Sequence, residues 1–227
     1  EAATHPNKGS AALASVVELP RGRIRPWMEG ARPDCYRGLQ TALSHDWLIE
    51  SWDSDSARAL NQLAAWVCAS GSIDGVFAPY FVVESALEDR FQQLAADANI
   101  AVRQTRDDPD RPPEWTPTEH QTVFGRVLHT WTGVQGDKSA LATQFPRYPQ
   151  FAPDDIATAF ATAYVRLRAS PTERYDTPAV QLQEDRSDRY YRDLRGLLER
   201  VVEDADEIRG SGFPVYIVGD AAQQLYF

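Results

Sequence analysis

The sequence predicts an α/β fold: a mainly parallel sheet flanked by helices, in a three-layer arrangement of the Rossmann-like or flavodoxin-like type, with a helical middle segment. Three observations support this prediction. Between residues 46 and 105, segments of strand length alternate with segments of helical periodicity, and strands joined through helices form parallel sheets. An amphipathic segment over residues 187–208 leads into a second apolar strand. Finally, a 227-residue chain with 43% apolar residues is long enough to bury a core.

The N-terminal part of the chain predicts one extended stretch and one helix. Residues 15–27 read as extended backbone interrupted by Pro20 and Gly22. Pro33 stands near the first position of the helix predicted over residues 33–44, where a missing backbone N–H carries no cost.

The next block carries the fold prediction. Ser54 and its neighbours are typical helix-capping residues, and Ser85 with Glu88 has the spacing of a capping box. Pro79 inside an apolar run favours an edge strand. The block therefore predicts strands and helices in alternation: strands 46–52, 76–83 and 100–105, and helices 53–70 and 85–98.

The remaining elements follow from the same periodicities. A second capping box at residues 116–119 and a proline at residue 153 each predict the start of a helix. Polar residues over 170–185 predict an irregular connection. The full set for this part of the chain is a helix ending before Gly133, a short helix over 138–145, a helix from Pro153, a long helix over 187–208 and a buried strand over 213–218.

These elements divide the chain into three segments of a single domain. Residues 13–106 form the βαβαβ block, residues 107–185 a mostly helical and loop segment, and residues 186–227 a long helix and a final strand that returns to the sheet. The proline-rich charged stretch over 106–116 marks the boundary between the first two segments.

Charge and composition limit the expected partners. With 23 basic and 33 acidic residues, the net charge is −10, which disfavours nucleic acid because phosphate backbones are repelled. The five arginines of residues 186–200 are offset by acidic neighbours. No apolar run approaches the roughly 18 residues of a membrane span, so a membrane is not an expected partner and a cytoplasmic location is predicted. Cys35 and Cys68 are too few for a disulfide framework.

Acidic residues follow two of the predicted strands and form the candidate site. Asp53 and Asp55 come after the second strand and Asp220 after the last. Since ligands of parallel α/β sheets bind beyond the carboxyl ends of the strands, these carboxylates are expected to converge and to hold Mg²⁺, which prefers oxygen ligands. Asp53 and Asp55 are predicted to be catalytic and Asp220 to bind the metal. Helix capping is the alternative role for Asp53 and Asp55.

Two family resemblances involve these residues. Asp53-Ser54-Asp55 and Gly219-Asp220 resemble fragments of two motifs of haloacid-dehalogenase-like phosphatases, which implies a nucleophile at Asp53, a general acid or base at Asp55 and a metal ligand at Asp220. Residues 218–226, VGDAAQQLY, are similar to motif III of superfamily 1 helicases. This second resemblance implies that Gly219 and Gln223 bind a nucleotide.

Two functions follow as hypotheses. The first is a phosphate- or nucleotide-handling domain with an acidic Mg²⁺ site, whose ligand is a nucleotide or a phosphorylated small molecule. The alternative is a non-catalytic domain that binds a protein partner through the helix at 187–208 or through exposed aromatic residues, which are Trp115, Trp131, Phe145, Tyr148 and Phe151.

Overall fold

The structure is a computed structural model that describes residues 7–106, 108, 111–136, 138 and 144–227. Its chain divides into two compact units, Glu1–Leu43 and Ser44–Phe227. The boundaries predicted near residues 106 and 185 both fall inside the second unit. None of the helices in the described part of the chain has the length and apolar content needed to cross a bilayer.

The first unit is helical. It contains helices α1 (Ser10–Val16) and α2 (Arg21–Met28), and α3 (Asp34–Ser44) begins in it. The helix predicted over 33–44 is confirmed. The extended stretch predicted over 15–27 is wrong: Pro20 lies at the N-cap of α2, where a residue without a backbone N–H is tolerated.

The second unit contains the same order of elements twice, helix–strand–strand–helix–strand–strand–helix. In the first repeat these elements are α4 (Asp55–Ala69), β1 (Gly71–Ile73), β2 (Pro79–Val82), α5 (Glu88–Asp97), β3 (Val102–Arg106), β4 (Glu114–Pro117) and α6 (Gln121–Thr132). In the second repeat they are α7 (Asp154–Arg168), β5 (Ser170–Pro171), β6 (Ala179–Leu182), α8 (Asp188–Val201), β7 (Ile208–Arg209), β8 (Val215–Val218) and α9 (Gly219–Leu225). Short 3-10 helices lie at Ser85–Leu87, Tyr148–Gln150 and Ala205–Glu207.

Each repeat forms its own sheet, and the two sheets have equivalent strand orders, β1-β2-β4-β3 and β5-β6-β8-β7. Every neighbouring pair in both sheets is antiparallel. The predicted mainly parallel, three-layer sheet is therefore wrong. The predicted elements leave residues 71–75 as a connection between a helix and a strand, whereas the structure has β1 there, paired with β2 in an antiparallel hairpin. That hairpin turns at Asp74, whose side chain accepts hydrogen bonds from the backbone N–H groups of Val76 and Ala78.

Helices α4 and α7, the first of each repeat, pack against each other and form the centre of the second unit. The side chain of Asn61 on α4 is fully buried and donates to the carbonyl of Ile156 on α7 at 2.9 Å. Ala57, Ala64 and Ala65 lie on the face of α4 that carries Asn61, because residues three and four apart share a helix face. All three are fully buried. Small side chains on this face allow the two helix backbones to approach closely.

The helix predictions fared better than the strand predictions. The helices predicted at 53–70, at 85–98 and from Pro153 correspond to α4, to a 3-10 turn followed by α5, and to α7. The predicted strand over 46–52 is wrong, since this segment is a loop whose Trp47 ring is buried and donates to the carbonyl of Ala98. The helix predicted over 187–208 ends at Val201. The short helix predicted over 138–145 falls mostly outside the described residues.

Candidate functional site

The structure does not assemble the predicted acidic site. Asp53 is exposed and accepts a hydrogen bond from Ser51. Asp55 is the first residue of α4 and is exposed, and Asp220 is exposed in the first turn of α9. Among the described residues, no group of three or more His, Cys, Asp or Glu residues could hold a metal ion. Antiparallel strands also lack the common carboxyl edge on which the predicted phosphate- or nucleotide-handling function depended, so that function is wrong.

The N-terminus of α9 is covered by a carboxylate of the chain itself. The backbone N–H groups of Asp220 and Ala221 donate to the two carboxylate oxygens of Glu207, at 3.2 and 2.7 Å. Gly219 has φ +63°, and a Cβ there would overlap this carboxylate. These contacts give Gly219 a structural reason to be glycine. The nucleotide contacts implied for Gly219 and Gln223 stay predictions, as do the single roles given to Asp53, Asp55 and Asp220.

The outward face of the second sheet carries a polar row. Side chains alternate between the two faces of a strand. On the inward face Val180, Leu182 and Ile217 are fully buried. On the outward face one residue from each strand lines up across the sheet, with Ser170 opposite Gln181, Gln181 opposite Tyr216 and Tyr216 opposite Arg209. These side chains are exposed or half-buried.

Two arginines and two tyrosines on this face form what we call the Arg–Tyr stack: Arg174, Tyr175, Arg209 and Tyr216. The guanidinium of Arg174 lies 4.8 Å from the ring centroid of Tyr216 and donates to its hydroxyl at 2.8 Å. That of Arg209 lies 5.3 Å from the centroid of Tyr175. The two rings contact each other edge to face, 5.6 Å apart. The order in space is therefore cation, ring, ring, cation.

Both arginines of the Arg–Tyr stack keep their charge available. Both are exposed, and among the described residues neither lies within ion-pairing distance of a carboxylate. Cation–π contacts hold a guanidinium in place without neutralising it. This surface therefore presents two fixed positive charges beside aromatic faces and polar groups.

The first sheet repeats the row in the same register. Ser72 lies opposite Tyr80, and Thr116 lies opposite Arg103. Phe81 pairs with Trp115 between β2 and β4, which places their neighbours Tyr80 and Thr116 opposite each other. In both sheets the outward row starts with serine on the first strand and ends with an exposed arginine on the outermost strand, Arg103 or Arg209. Thr116 itself is buried and its hydroxyl donates to the carbonyl of Pro79, so what the first sheet repeats is the pairing register and the outer arginine.

By contrast, arginines of α8 are largely paired. Arg189 and Arg195 lie within ion-pairing distance of Asp193 and Glu199 on the same helix. Just before α8, Arg186 binds the buried Glu184 at 3.2 Å. The predicted offset of these charges agrees with this arrangement.

Sequence reasoning missed the Arg–Tyr stack. The sequence predicts an irregular connection over 170–185 and a buried strand over 213–218, and neither prediction includes a polar sheet face. Tyr216 sits between Val215 and Ile217, at the alternate position that faces outward, and its hydroxyl was the only sequence signal of a polar face. The prediction that nucleic acid is a disfavoured partner is also wrong. It was based on the net charge of the whole chain, which does not describe a local surface with positive charge.

Comparison with known proteins gives a likeness in structure and none in sequence. No protein-family model matches the chain, and no curated protein matches it. The crystal structure of the N-terminal LAGLIDADG domain of DUF199/WhiA is similar to it, with a TM-score of 0.45, 12% sequence identity, and coverage of 79% of this chain and 84% of that one. The alternative prediction of a binding surface of exposed aromatic residues is wrong for Trp115 and Phe145, which are buried.

Proposed function

We propose that the protein binds nucleic acid, with the outward faces of its two sheets as the contact surface. The observation that carries the proposal is the Arg–Tyr stack, in which Arg174 and Arg209 are positioned by tyrosine rings and have no carboxylate partner among the described residues. Guanidinium groups bind phosphate oxygens with two parallel hydrogen bonds. Positioning the side chains in advance lowers the entropy lost on binding.

The rest of the row suits the same ligand. Hydroxyl and amide groups, here from Ser170 and Gln181, contact phosphates, sugars and base edges in nucleic-acid complexes. Strands and sheets are established elements for contacting a duplex groove. Because the first sheet repeats the pairing register and the outer arginine, Arg103, the proposal includes two contact surfaces, one for each repeat.

The first unit adds a basic surface of its own. Residues 19–43 contain five arginines and two acidic residues, whereas the chain as a whole has a net charge of −10. Arg23 is exposed. The proposal includes a contact between this segment and phosphate groups. It also includes a cytoplasmic location for the protein.

The test is the affinity of the full chain for a fluorescently labelled duplex, measured by anisotropy at several salt concentrations. The variant R174Q/R209Q removes two phosphate contacts. We expect affinity to fall, and the slope of log K against log salt to decrease by about one for each arginine lost. The matched control is R189Q/R192Q on α8, which makes the same change in net charge away from the sheet. Equal losses in both variants, or no binding of the wild-type protein at low salt, would overturn the proposal.

A further inference from the structure

A cavity of about 460 Å³ opens on the second unit, apart from the residues of the Arg–Tyr stack. Its wall comes from three places in the sequence: the loop before α4, the C-terminal end of α6, and the segment at the 3-10 helix Tyr148–Gln150. Its volume is within the range of ligand pockets, roughly 300–1,000 Å³. The lining side chains that matter here are Glu50, Trp52, Thr130, Trp131, Arg147 and Tyr148.

Three aromatic rings shape the cavity. The rings of Trp52 and Tyr148 are nearly parallel, at 15° with centroids 5.9 Å apart. Trp131 stands steeply against both, at 75° and 69°. The hydroxyl of Tyr148 donates to Asn61 at 2.9 Å, which fixes the ring, and burial raises the pKa of Tyr148, so the phenol stays neutral. The aromatic wall is therefore built before any ligand arrives.

The polar groups of the wall decide between possible occupants. An organic cation is attracted by aromatic rings and by Glu50, but it leaves the guanidinium of Arg147 facing a like charge. An apolar side chain from a protein would leave Glu50 and Arg147 without partners, which is unfavourable for polar groups removed from water. A nucleotide matches all three kinds of group: the faces of its base stack on the rings, the edge of the base has donors for Glu50 and groups for Thr130, and its phosphate is a ligand for Arg147.

We infer that this cavity binds an unpaired base of a nucleic acid. The inference rests on the proposed function and deepens it, because it distinguishes a ligand with an unstacked base from a fully paired duplex. Stacking of bases on aromatic side chains is an established source of affinity for single-stranded segments. The cavity would then select structure in the nucleic acid, while the sheet faces bind its backbone.

The experiment uses two labelled duplexes that differ only in a single bulged 2-aminopurine nucleotide. For the wild-type protein we expect about tenfold tighter binding of the bulged duplex, together with a change in 2-aminopurine emission on stacking. Trp52→Leu should remove the preference and leave the affinity for the paired duplex unchanged. Trp52→Phe, which keeps an aromatic ring, should retain most of the preference for the bulged duplex. The matched control is Phe151→Leu, which changes an exposed aromatic residue that does not line the cavity.

The outcomes separate this inference from the proposed function. One outcome is that the wild-type protein binds paired and bulged duplexes equally and that R174Q/R209Q weakens both. This result would overturn the inference that the cavity binds a base and would leave the proposed function standing. The opposite outcome is that the protein binds a single-stranded 2-aminopurine oligonucleotide through Trp52 and does not bind the paired duplex. This result would support the cavity as a base-binding site and would overturn the proposed contact of the sheet faces with a duplex. If Trp52→Leu does not fold, R147Q replaces it: this exposed substitution should reduce binding of the bulged duplex several-fold, and an unchanged preference would contradict the inference.

Discussion

Lys138 is a half-buried lysine at the C-terminal end of the central helix α4. Its ammonium donates to the backbone carbonyls of Val67 at 2.9 Å and Cys68 at 3.3 Å. Carbonyls at the end of a helix lack partners within the helix and carry partial negative charge, so a cation is favourable there. Burial opposes the charge, and it lowers the pKa of Lys138 to about 8.

This pKa predicts a pH-dependent stability. The unfolded chain has the ordinary lysine pKa of 10.5, so between pH 8 and 10.5 the unfolded state binds more protons and the free energy of unfolding rises with pH. Cys68 acts in the opposite sense, because burial raises the pKa of its thiol from 9.0 to about 12, but only above pH 9. The charged groups that act on Lys138 are Cys68, Glu184, Arg168 and Arg186.

The measurement is urea denaturation at pH 7 and pH 9 for wild type and Lys138→Met. We expect the stability of wild type relative to the variant to increase by about 1 kcal/mol between these pH values. Lys8→Met, the other lysine in the chain, serves as the control. A difference that stays constant or decreases with pH would show that the amine is not desolvated in the folded state.

Glu184 is a buried carboxylate that forms a cluster with two arginines and two tyrosines. Its side chain is fully buried, accepts a hydrogen bond from Tyr164 and pairs with Arg186 and, at 3.7 Å, with Arg168. Tyr190 completes the group through its hydroxyl contact with Tyr164. A buried carboxylate with these partners is satisfied, so the cluster needs no ligand to explain it.

At the scale of elements, the side-chain amide of Asn61 joins α4 to α7. Asn61 donates to Ile156 across the interface and accepts from Tyr148, so its side chain satisfies two buried groups. Arg58 and Asp155 add an exposed ion pair between the same helices at 2.8 Å, which contributes little because water screens it.

Asn61→Ala is therefore expected to lower the free energy of unfolding by about 1–3 kcal/mol, since it leaves the hydroxyl of Tyr148 unpaired and removes the hydrogen bond that joins α4 to the carbonyl of Ile156. Arg58→Ala should change it by less than about 1 kcal/mol. Chemical denaturation of both variants checks the comparison. A larger effect for Arg58→Ala than for Asn61→Ala would mean that the ion pair, and not the amide, holds the helices together.

The same elements show how far the sequence could predict the structure. Helices such as α4 and α7 were found because caps and apolar periodicity are local signals. The strands of the second sheet have two to four residues, too short for alternation to be recognised. The turn at Asp74-Gly75 was a recognisable hairpin signal that was overlooked. The Arg–Tyr stack depends on pairing between strands far apart in sequence, which no local pattern contains.

At the scale of the whole molecule, the repeated order of elements implies that the two halves of the second unit complete each other. An interface between equivalent helices, α4 from one repeat and α7 from the other, is what a twofold relation produces. Of the 15 residues of α4, 12 are buried, which is far more than one face of a surface helix. Each half covers part of its own central helix, α4 by α5 and α6 and α7 by α8 and α9, and the other half covers the rest.

We therefore predict that residues 44–136 and residues 144–227, produced separately, do not fold alone but associate when mixed. Each fragment alone should bind a hydrophobic dye and exchange its backbone amides rapidly, because its central helix exposes apolar surface. The mixture should recover the circular dichroism of residues 44–227 in one piece, with a 1:1 mass by native mass spectrometry. Asn61→Ala in the first fragment should weaken this association, since it removes the hydrogen bond to α7. A first fragment that is monomeric, protected from exchange and unaffected by the second would contradict this prediction and show that each repeat is an independent domain.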